Sequence, residues 1–181
     1  VFDGYYTAQG EQYYDSKGNG KIIWEQLAEI NLKAKWTPKE VEITFDTNGG
    51  EELIPIGGTY LGKYPTLPVP VREGYEFVGW SLDGVSIQSN DTIQSYNDHT
   101  LAAGWNPVGG TPYTVECYIP DEEGTGYQKY DSFTLTGMTD SAVTVGEATY
   151  RIPGYLFDAA AEGNVLSDTL KADGSTVLKM C

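Results

Sequence analysis

Apolar and polar residues alternate one by one along several short stretches of the chain, the pattern of β-strands that bury one face. Residues 41–46 alternate Val, Ile and Phe with Glu, Thr and Asp, and residues 101–105 place Leu, Ala and Trp at every second position. Residues 113–119 alternate Tyr, Val, Cys and Ile with Thr, Glu and Tyr, so Cys117 is predicted to lie on a buried face. The chain is therefore predicted to be mainly β.

Part of this pattern occurs twice. Phe2-x-Gly4-Tyr5 precedes a loop and the stretch NLKAKWTP at 31–38, and Phe77-x-Gly79-Trp80 precedes a loop and TLAAGWNP at 100–107. The second copy also has a front half, residues 41–75, which the first copy lacks. We therefore predict that residues 1–38 are the back half of a truncated repeat unit.

The second copy resembles the Listeria–Bacteroides repeat, the internalin-type B repeat of bacterial surface proteins. The matching stretches are ITFDTNGG at 43–50, YPTLPVPVREGYEFVGW at 64–80 and TLAAGW at 100–105. The resemblance covers residues 41–107 and, for the back half of the pattern, residues 1–38. It implies a β-grasp layout, which the apolar first and last strands also favour, with those two strands adjacent in the sheet and one short helical segment between them.

The chain changes character after a Gly- and Pro-rich linker at 106–112. Residues 113–181 resemble the mucin-binding-protein repeat of Gram-positive surface proteins, through Tyr113-x-Val115-x-x-Tyr118, Gly154-Tyr155-x-Phe157 and Asp173-Gly174-Ser175. The two resemblances together imply three tandem pieces, residues 1–38, 39–108 and 112–181. Each is expected to be a small β-grasp-like (ubiquitin-like) module with mixed sheets and at most one short helix.

The charge of the chain limits its partners. It has 26 acidic and 11 basic residues and a formal net charge of −15, so nucleic acid and anionic membrane surfaces would be repelled. No stretch approaches 18 consecutive apolar residues, so no membrane-embedded segment is predicted. The segment is expected to be monomeric, extracellular and attached to the cell wall through parts outside it.

The sequence offers little for catalysis. Its single histidine, His99, stands alone before a strand, and neither Cys117 nor Cys181 has a neighbouring histidine that would make it a thiolate. The two cysteines are predicted to be unpaired, because alternation places Cys181 on the face opposite Met180. No phosphate-binding loop or nucleophile motif occurs, so we expect neither an enzyme nor a cofactor.

Residues 15–26 have the spacing of a calcium loop without its ligands. Asp15 and Asn19 fall at the first and fifth positions of such a loop, but Lys17 stands at the third and Gln26 at the twelfth, where the bidentate Glu is required. A lysine ammonium at the cation site opposes metal binding. The stretch is therefore predicted to be a Gly-rich hairpin turn.

Two functions from different classes fit these features. One is a stalk or spacer of a bacterial adhesin, because every recurring aromatic, Gly and Pro residue can be assigned to folding. The other is a module that binds a host glycan, mucin or surface protein through exposed aromatic side chains, for which Tyr127, Tyr130 and Trp24 are the candidates. The sequence favours the spacer and leaves the ligand and the full-length architecture open.

Overall fold

The computed structural model of the chain describes residues 1–22 and 30–181. These residues form thirteen strands and no helix. In the front part of the chain the strands are β1 Phe2–Tyr6, β2 Gln12–Asp15, β3 Lys33–Trp36, β4 Glu40–Asp46 and β5 Ile56–Thr59. The middle contributes β6 Tyr75–Leu82, β7 Val85–Ile87 and β8 His99–Pro107. The remainder are β9 Thr111–Pro120, β10 Tyr127–Gly137, β11 Ala142–Thr144, β12 Ser167–Thr169 and β13 Val177–Met180.

The strands form four sheets. Their orders are β2-β1-β3, β5-β4-β8-β6-β7, β10-β9-β13 and β11-β12. The mainly β class is thus confirmed, and β4 and β8 are neighbours in one sheet, as the alternation and the resemblance led us to expect. The β-grasp arrangement and the division into three modules stay predictions.

The chain forms two compact units. Of the described residues, the first unit comprises 1–22, 30–46, 53–68 and 82–101. Its largest fully buried side chains are Tyr64, Ile43, Ile93 and Leu101. The short helical segment expected between the outer strands of the repeat is absent from residues 39–108. Pro65 and Pro68 lack the backbone N–H that a helix requires, and the chain here runs as irregular structure.

The second unit comprises residues 47–52, 69–81 and 102–181. Its long strand β9 pairs antiparallel with β10 on one side and parallel with β13 on the other. The residues buried together around β9 are Tyr113, Val115, Cys117, Val143, Val145, Leu170, Leu178 and Met180. The predicted burial of Cys117 and the predicted apolar face of β13 are therefore confirmed.

The two copies of the repeat have the same backbone register. Both β1–β3 and β6–β8 are antiparallel pairs, and each has one irregularity, between Phe2 and Gly4 or between Phe77 and Gly79. In the first pair the partners are Phe2↔Trp36, Gly4↔Lys35, Tyr5↔Ala34 and Tyr6↔Lys33. In the second they are Phe77↔Trp105, Gly79↔Gly104, Trp80↔Ala103 and Ser81↔Ala102. The sequence repeat is thus a structural repeat, position by position.

The aromatic side chains repeat with the backbone. The Phe2 ring lies 5.3 Å from the rings of both Tyr5 and Trp36, between centroids. The Phe77 ring lies 5.4 Å from the rings of both Trp80 and Trp105. These edge-to-face and tilted contacts are the favoured geometries of aromatic pairs. The recurring Phe, Gly and Trp therefore build the fold.

Candidate functional site

The second unit has a cavity of about 490 Å³ beside the end of the β9–β10 hairpin. Aromatic and apolar side chains form much of its lining, among them Tyr118, Tyr127, Tyr150, Tyr155 and Phe157. Small-ligand sites commonly have this volume and combine an apolar wall with a few polar groups. The cavity is therefore the candidate binding site of this unit.

Strands hold one side of the cavity and irregular chain holds the other. Tyr118 stands near the end of β9 and Tyr127 begins β10, so the hairpin fixes both. Residues 147–158 form no strand and supply the opposite wall. Within this segment Tyr155 is exposed and the Leu156 side chain is almost completely so, at 96%. The rim of the cavity is thus rich in exposed apolar surface.

Tyr150 is fixed in the wall by a carboxylate and a ring. Its hydroxyl donates to Asp131 Oδ2 at 2.6 Å, and its ring lies 5.2 Å from that of Phe133. The hydrogen bond to the Asp131 carboxylate, followed by burial, raises the pKa of Tyr150 to about 12. The same bond lowers the pKa of Asp131. Tyr150 is therefore a neutral donor that is already engaged.

Tyr118 is held by a second carboxylate. Its hydroxyl donates to Glu116 Oε2 at 2.8 Å, and Lys129 Nζ lies 2.9 Å from Glu116 Oε1. Lys129 and then Tyr118 lower the pKa of Glu116, and the bond to Glu116 raises the pKa of Tyr118. These bonds tie the end of β9 to β10 and leave the ring of Tyr118 available to the cavity.

The charged groups of the lining lie on one segment. Arg151 Nη2 is 3.5 Å from Glu147 Oε1, and both side chains are largely exposed. Asp158 also lines the cavity, and its Oδ1 accepts the backbone N–H of Ala160. Exposed pairs of this kind contribute little to stability, so they are free to reorient toward a polar ligand.

Both cysteines line the cavity and neither forms a disulfide. Cys117 is buried and Cys181 is partly buried. Burial raises the pKa of each thiol, so both stay protonated at neutral pH. Nucleophilic catalysis requires the thiolate, and here the environment disfavours it.

The three predicted ligand-binding aromatics fare differently. Tyr127 lines the cavity. Tyr130 is 51% exposed and does not line the cavity; it falls at the irregularity between Lys129 and Asp131 in the β9–β10 pair. Trp24 lies outside the described residues. The sequence analysis did not identify Tyr118, Tyr150 or Arg151 as site residues. It did name the Gly154-Tyr155-x-Phe157 motif, and Tyr155 and Phe157 line the cavity.

The stretch around Asp15 is a turn, as predicted. The Asp15 carboxylate accepts the backbone N–H groups of Lys17 and Asn19, each at 2.9 Å, and the Asn19 side-chain amide at 3.0 Å. Lys21 Nζ lies 3.6 Å from the same carboxylate. The bonds from Asn19 in particular lower the pKa of Asp15 to about 2. The carboxylate is therefore already supplied with donors; Gln26 lies outside the described residues.

His99 has a structural role in the first unit. Its Nδ1 donates to the carbonyl oxygen of Asn97 at 2.9 Å, which leaves Nε2 to accept the hydroxyl of Tyr64 at 2.7 Å. Within residues 1–22 and 30–181, no three His, Cys, Asp or Glu side chains come together in a group that could hold a metal ion.

A second feature of this unit joins the repeat motif to the strands that follow. Tyr75 donates its hydroxyl to Asp140 Oδ2 at 2.5 Å, and the backbone N–H of Val108 donates to Gly74 O at 3.0 Å. A Cβ on Gly74 would lie 2.8 Å from both Ala172 Cβ and Thr139 Oγ1. The Arg-Glu-Gly-Tyr stretch at 72–75 therefore contacts the turns that follow β10 and β12.

The described part of the chain contains no helix long and apolar enough to cross a membrane. The chain is 30% identical over 130 residues to a protein of Evansella cellulosilytica named "Putative membrane protein", and the match covers 70% of this chain and 18% of that protein. It is 35% identical over 79 residues to another protein of the same organism, named "Putative Gly-rich membrane protein", with 41% of this chain and 9% of that protein covered. The chain thus spans less than a fifth of the length of either relative.

The family match covers the second copy of the repeat, which has the front half that the first copy lacks. The match to the family does not reach residues 113–181, so their resemblance to the mucin-binding-protein repeat stays a prediction. Residues 42–104 match the Listeria-Bacteroides repeat domain, which confirms the motifs at 43–50 and 64–80 and residues 100–104 of the third as family features.

Proposed function

We propose that this chain is a non-catalytic repeat segment of a bacterial surface adhesin and acts as a stalk or spacer. The observation that carries the proposal is the joint formed by Gly74, Tyr75 and Val108 with Thr139 and Asp140. A stalk needs successive segments that are firmly joined, and these contacts fix the repeat motif to the strands that follow it within one compact unit. Here the linker is only three residues long between β8 and β9, and one of them, Val108, also accepts a hydrogen bond from Thr139 N–H at 3.0 Å.

The repeated positions support the same function. Phe2 and Phe77, Gly4 and Gly79, and Trp36 and Trp105 occupy matching places in two strand pairs. Their chemistry is used for packing and backbone geometry. The net charge of −15 would keep neighbouring copies apart on a crowded surface.

The joint is tested by limited proteolysis between residues 107 and 111. Gly74→Ala should increase the cleavage rate there, because its Cβ would collide with Ala172 and Thr139. Gly57→Ala is the matched control, since no atom lies within 4 Å of its added Cβ. Equal cleavage rates in both variants would contradict a rigid joint.

The spacer function is tested by display. The segment is placed between a cell-wall anchor and a small reporter binding domain, and capture of target-coated beads is measured. Capture should fall when the segment is deleted and return when an unrelated tandem of β-modules of similar length replaces it. Failure of the unrelated tandem to restore capture would argue for a specific role.

The cavity favours a second candidate function, glycan binding. Exposed aromatic rings stack on the apolar faces of sugars, and Arg151, Glu147 and Asp158 would supply hydrogen bonds to hydroxyl groups. Tyr155 is the most suitable ring, because it is exposed on the rim.

A glycan and mucin array separates the two candidates. If the cavity binds sugars, Tyr155→Ala and Tyr127→Ala should each weaken reproducible binding about tenfold. Tyr96→Ala should leave it unchanged, because Tyr96 is also exposed but does not line the cavity. If the unaltered chain binds no glycan or mucin on the array, the glycan-binding function is rejected and the spacer function remains.

A further inference from the structure

A turn of the first unit carries the sequence Asn90-Asp91-Thr92. Asparagine followed two positions later by Ser or Thr, with any residue except Pro between them, is the acceptor sequence for N-linked glycans. The chain has seven asparagines, and only Asn90 has Ser or Thr two positions later. Because so short a sequence often occurs by chance, the geometry of the turn decides whether Asn90 can be modified.

Hydrogen bonds of the backbone fix the turn and leave Asn90 at the surface. The Asp91 N–H donates to Gln88 O at 3.1 Å and closes a four-residue turn, in which Asn90 is third and has φ of +70°. Asparagine tolerates this positive φ better than most residues. The Asn90 N–H donates to Tyr64 O at 3.0 Å, and the Tyr64 N–H donates to Asp91 O at 2.9 Å. The modification site is therefore an ordered turn whose asparagine is exposed.

The carboxamide of Asn90 is not used by the fold. It forms no hydrogen bond with any residue that the structure describes, and Asn90 is exposed to solvent. Three other asparagines use their side-chain amides inside the fold, namely Asn19, Asn48 and Asn164. The Asn90 amide is thus available to an enzyme that approaches the turn.

The polar side chains next to Asn90 are occupied elsewhere and do not compete for its carboxamide. Asp91 Oδ2 accepts the Gln88 N–H at 2.8 Å, which holds the aspartate within the turn. Thr92 Oγ1 accepts a hydrogen bond from Lys63 Nζ at 2.8 Å. A hydroxyl that accepts in this way keeps its own proton for donation. The hydroxyl that the acceptor sequence requires is therefore present and still able to donate.

Folding alone does not account for an asparagine at this position. The turn needs a residue that tolerates positive φ, and Gly or Asp would meet that need. Neither of them has a carboxamide, and no contact within the described residues uses the one on Asn90. The side chain that folding leaves unused is the group that carries the sugar in N-glycosylated proteins.

We propose that Asn90 is the acceptor of an N-linked glycan, which a separate enzyme transfers from a glycosyl diphosphate. Asn90 Nδ2 forms a bond to the anomeric carbon of the sugar, and the bond between that carbon and the diphosphate oxygen breaks. The diphosphate leaves with the electron pair, and Nδ2 gives one proton to a base of the enzyme. No oxidant or reductant is needed. The inference goes beyond the spacer function and does not rest on it.

The test offers the chain of 181 residues to the two carriers of such a donor. In one arm the purified folded chain is incubated with UDP-glucose and an N-glucosyltransferase that recognises Asn-x-Ser/Thr. In the other arm the chain is secreted from a eukaryotic host whose oligosaccharyltransferase uses a polyprenol diphosphate. Peptide mass spectrometry should find a sugar on Asn90 in at least one arm, and that arm identifies the carrier.

Variants at the third position of the sequence separate the hydroxyl from the fold. Thr92→Val keeps the branched shape and should abolish transfer, whereas Thr92→Ser should retain it. Lys63→Ala should also retain transfer, because it removes only the hydrogen bond to Thr92. Asn97 is the control within the same molecule: it is exposed and followed by aspartate, but His99 takes the third position, so it should stay unmodified.

Three results would overturn the proposal. One is the absence of sugar on Asn90 in both arms. Another is transfer that persists in Thr92→Val, which would show that the acceptor sequence is not what the enzyme reads. The third is transfer to a synthetic peptide of residues 84–97 while the folded chain stays unmodified in the first arm and the secreted chain in the second, because the turn would then withhold Asn90.

Discussion

Gly4 and Gly79 show how a single residue sets the geometry of the repeat. Each stands at the irregularity of its strand pair, with φ of +140° and +149° respectively. Only glycine adopts this region readily, because a Cβ would clash with the residue's own backbone. The recurrence of glycine two positions after phenylalanine is therefore a requirement of the backbone.

Alanine substitutions at Gly4 and Gly79 distinguish backbone strain at positive φ from steric collision of the added Cβ with neighbouring atoms. Gly79→Ala should destabilise the chain by about 1–3 kcal/mol through strain alone, because no atom lies within 4 Å of the added Cβ. Gly4→Ala should disrupt its own strand pairs more strongly, since that Cβ would lie 2.3 Å from Tyr14 O. Chemical denaturation followed by amide exchange measures both, with Gly57→Ala as the control. A neutral Gly79→Ala would contradict the assigned backbone geometry.

Asp15 gives the chain an acid-sensitive turn. Its pKa in the folded chain is about 2, below the ordinary value of 3.8, so the folded state binds this proton less readily than the unfolded chain. The resulting stability is complete above about pH 4 and is lost as the pH falls through about 2. Asp15→Asn should therefore reduce the pH dependence of unfolding between pH 2 and 4.

The control for Asp15 is Glu52→Gln, which alters an exposed carboxylate with no hydrogen bond in the described residues. Unfolding of both variants is followed in denaturant at several pH values. An unchanged slope in Asp15→Asn would show that the turn does not depend on the charged carboxylate.

At the scale of the strand, the alternation of apolar and polar residues predicted which face of a strand is buried but not which strand pairs with it. The buried faces of β4, β8 and β9 follow directly from every second residue being apolar. Alternation carries no information about which strand lies alongside. Asp173-Gly174 has the sequence of a tight hairpin turn and forms a turn, with Gly174 φ at +70°, but the strands that flank it belong to different sheets. Strands β9 and β13 pair in parallel although they are far apart in the chain, and no local sequence pattern indicates this pairing.

The two copies predict opposite responses to one substitution. Ala103→Lys should destabilise the second copy by about 3 kcal/mol or more, because it buries an unpaired charge on β8. Ala34→Lys at the matching position should change stability by less than about 0.5 kcal/mol, since Ala34 is exposed. Thermal unfolding of the two variants compares them directly. Similar losses would mean that the surface above β3 is covered in solution.

At the scale of the whole molecule, the candidate site could be predicted only in part. Tyr127 was found because exposed aromatic residues next to turns are detectable in sequence. Tyr118, Tyr150 and Cys181 meet at one cavity only because β9, β13 and the irregular segment 147–158 are brought together by long-range pairing. No motif records that convergence.

The net charge of −15 is a property of the whole chain and should make its stability depend on salt. Like charges repel in the folded state, and salt screens them over about 10 Å at 0.1 M. We expect the melting temperature to rise by a few degrees between about 0.02 and 0.5 M sodium chloride. The double variant Glu51→Lys/Glu52→Lys should show a smaller rise. A melting temperature that falls with salt would mean that specific ion pairs outweigh the general repulsion.

The parallel pairing of β9 with β13 has a mechanical consequence. Because the two strands run in the same direction, the beginning of β9 and the end of β13 lie at opposite ends of the pair. Tension applied at those two points pulls the strands past each other and loads the hydrogen bonds from Val177↔Thr114 to Met180↔Cys117 together. The antiparallel β9–β10 hairpin, opened from its free end, would instead lose its bonds one after another. A surface segment that must withstand flow gains most from the first arrangement.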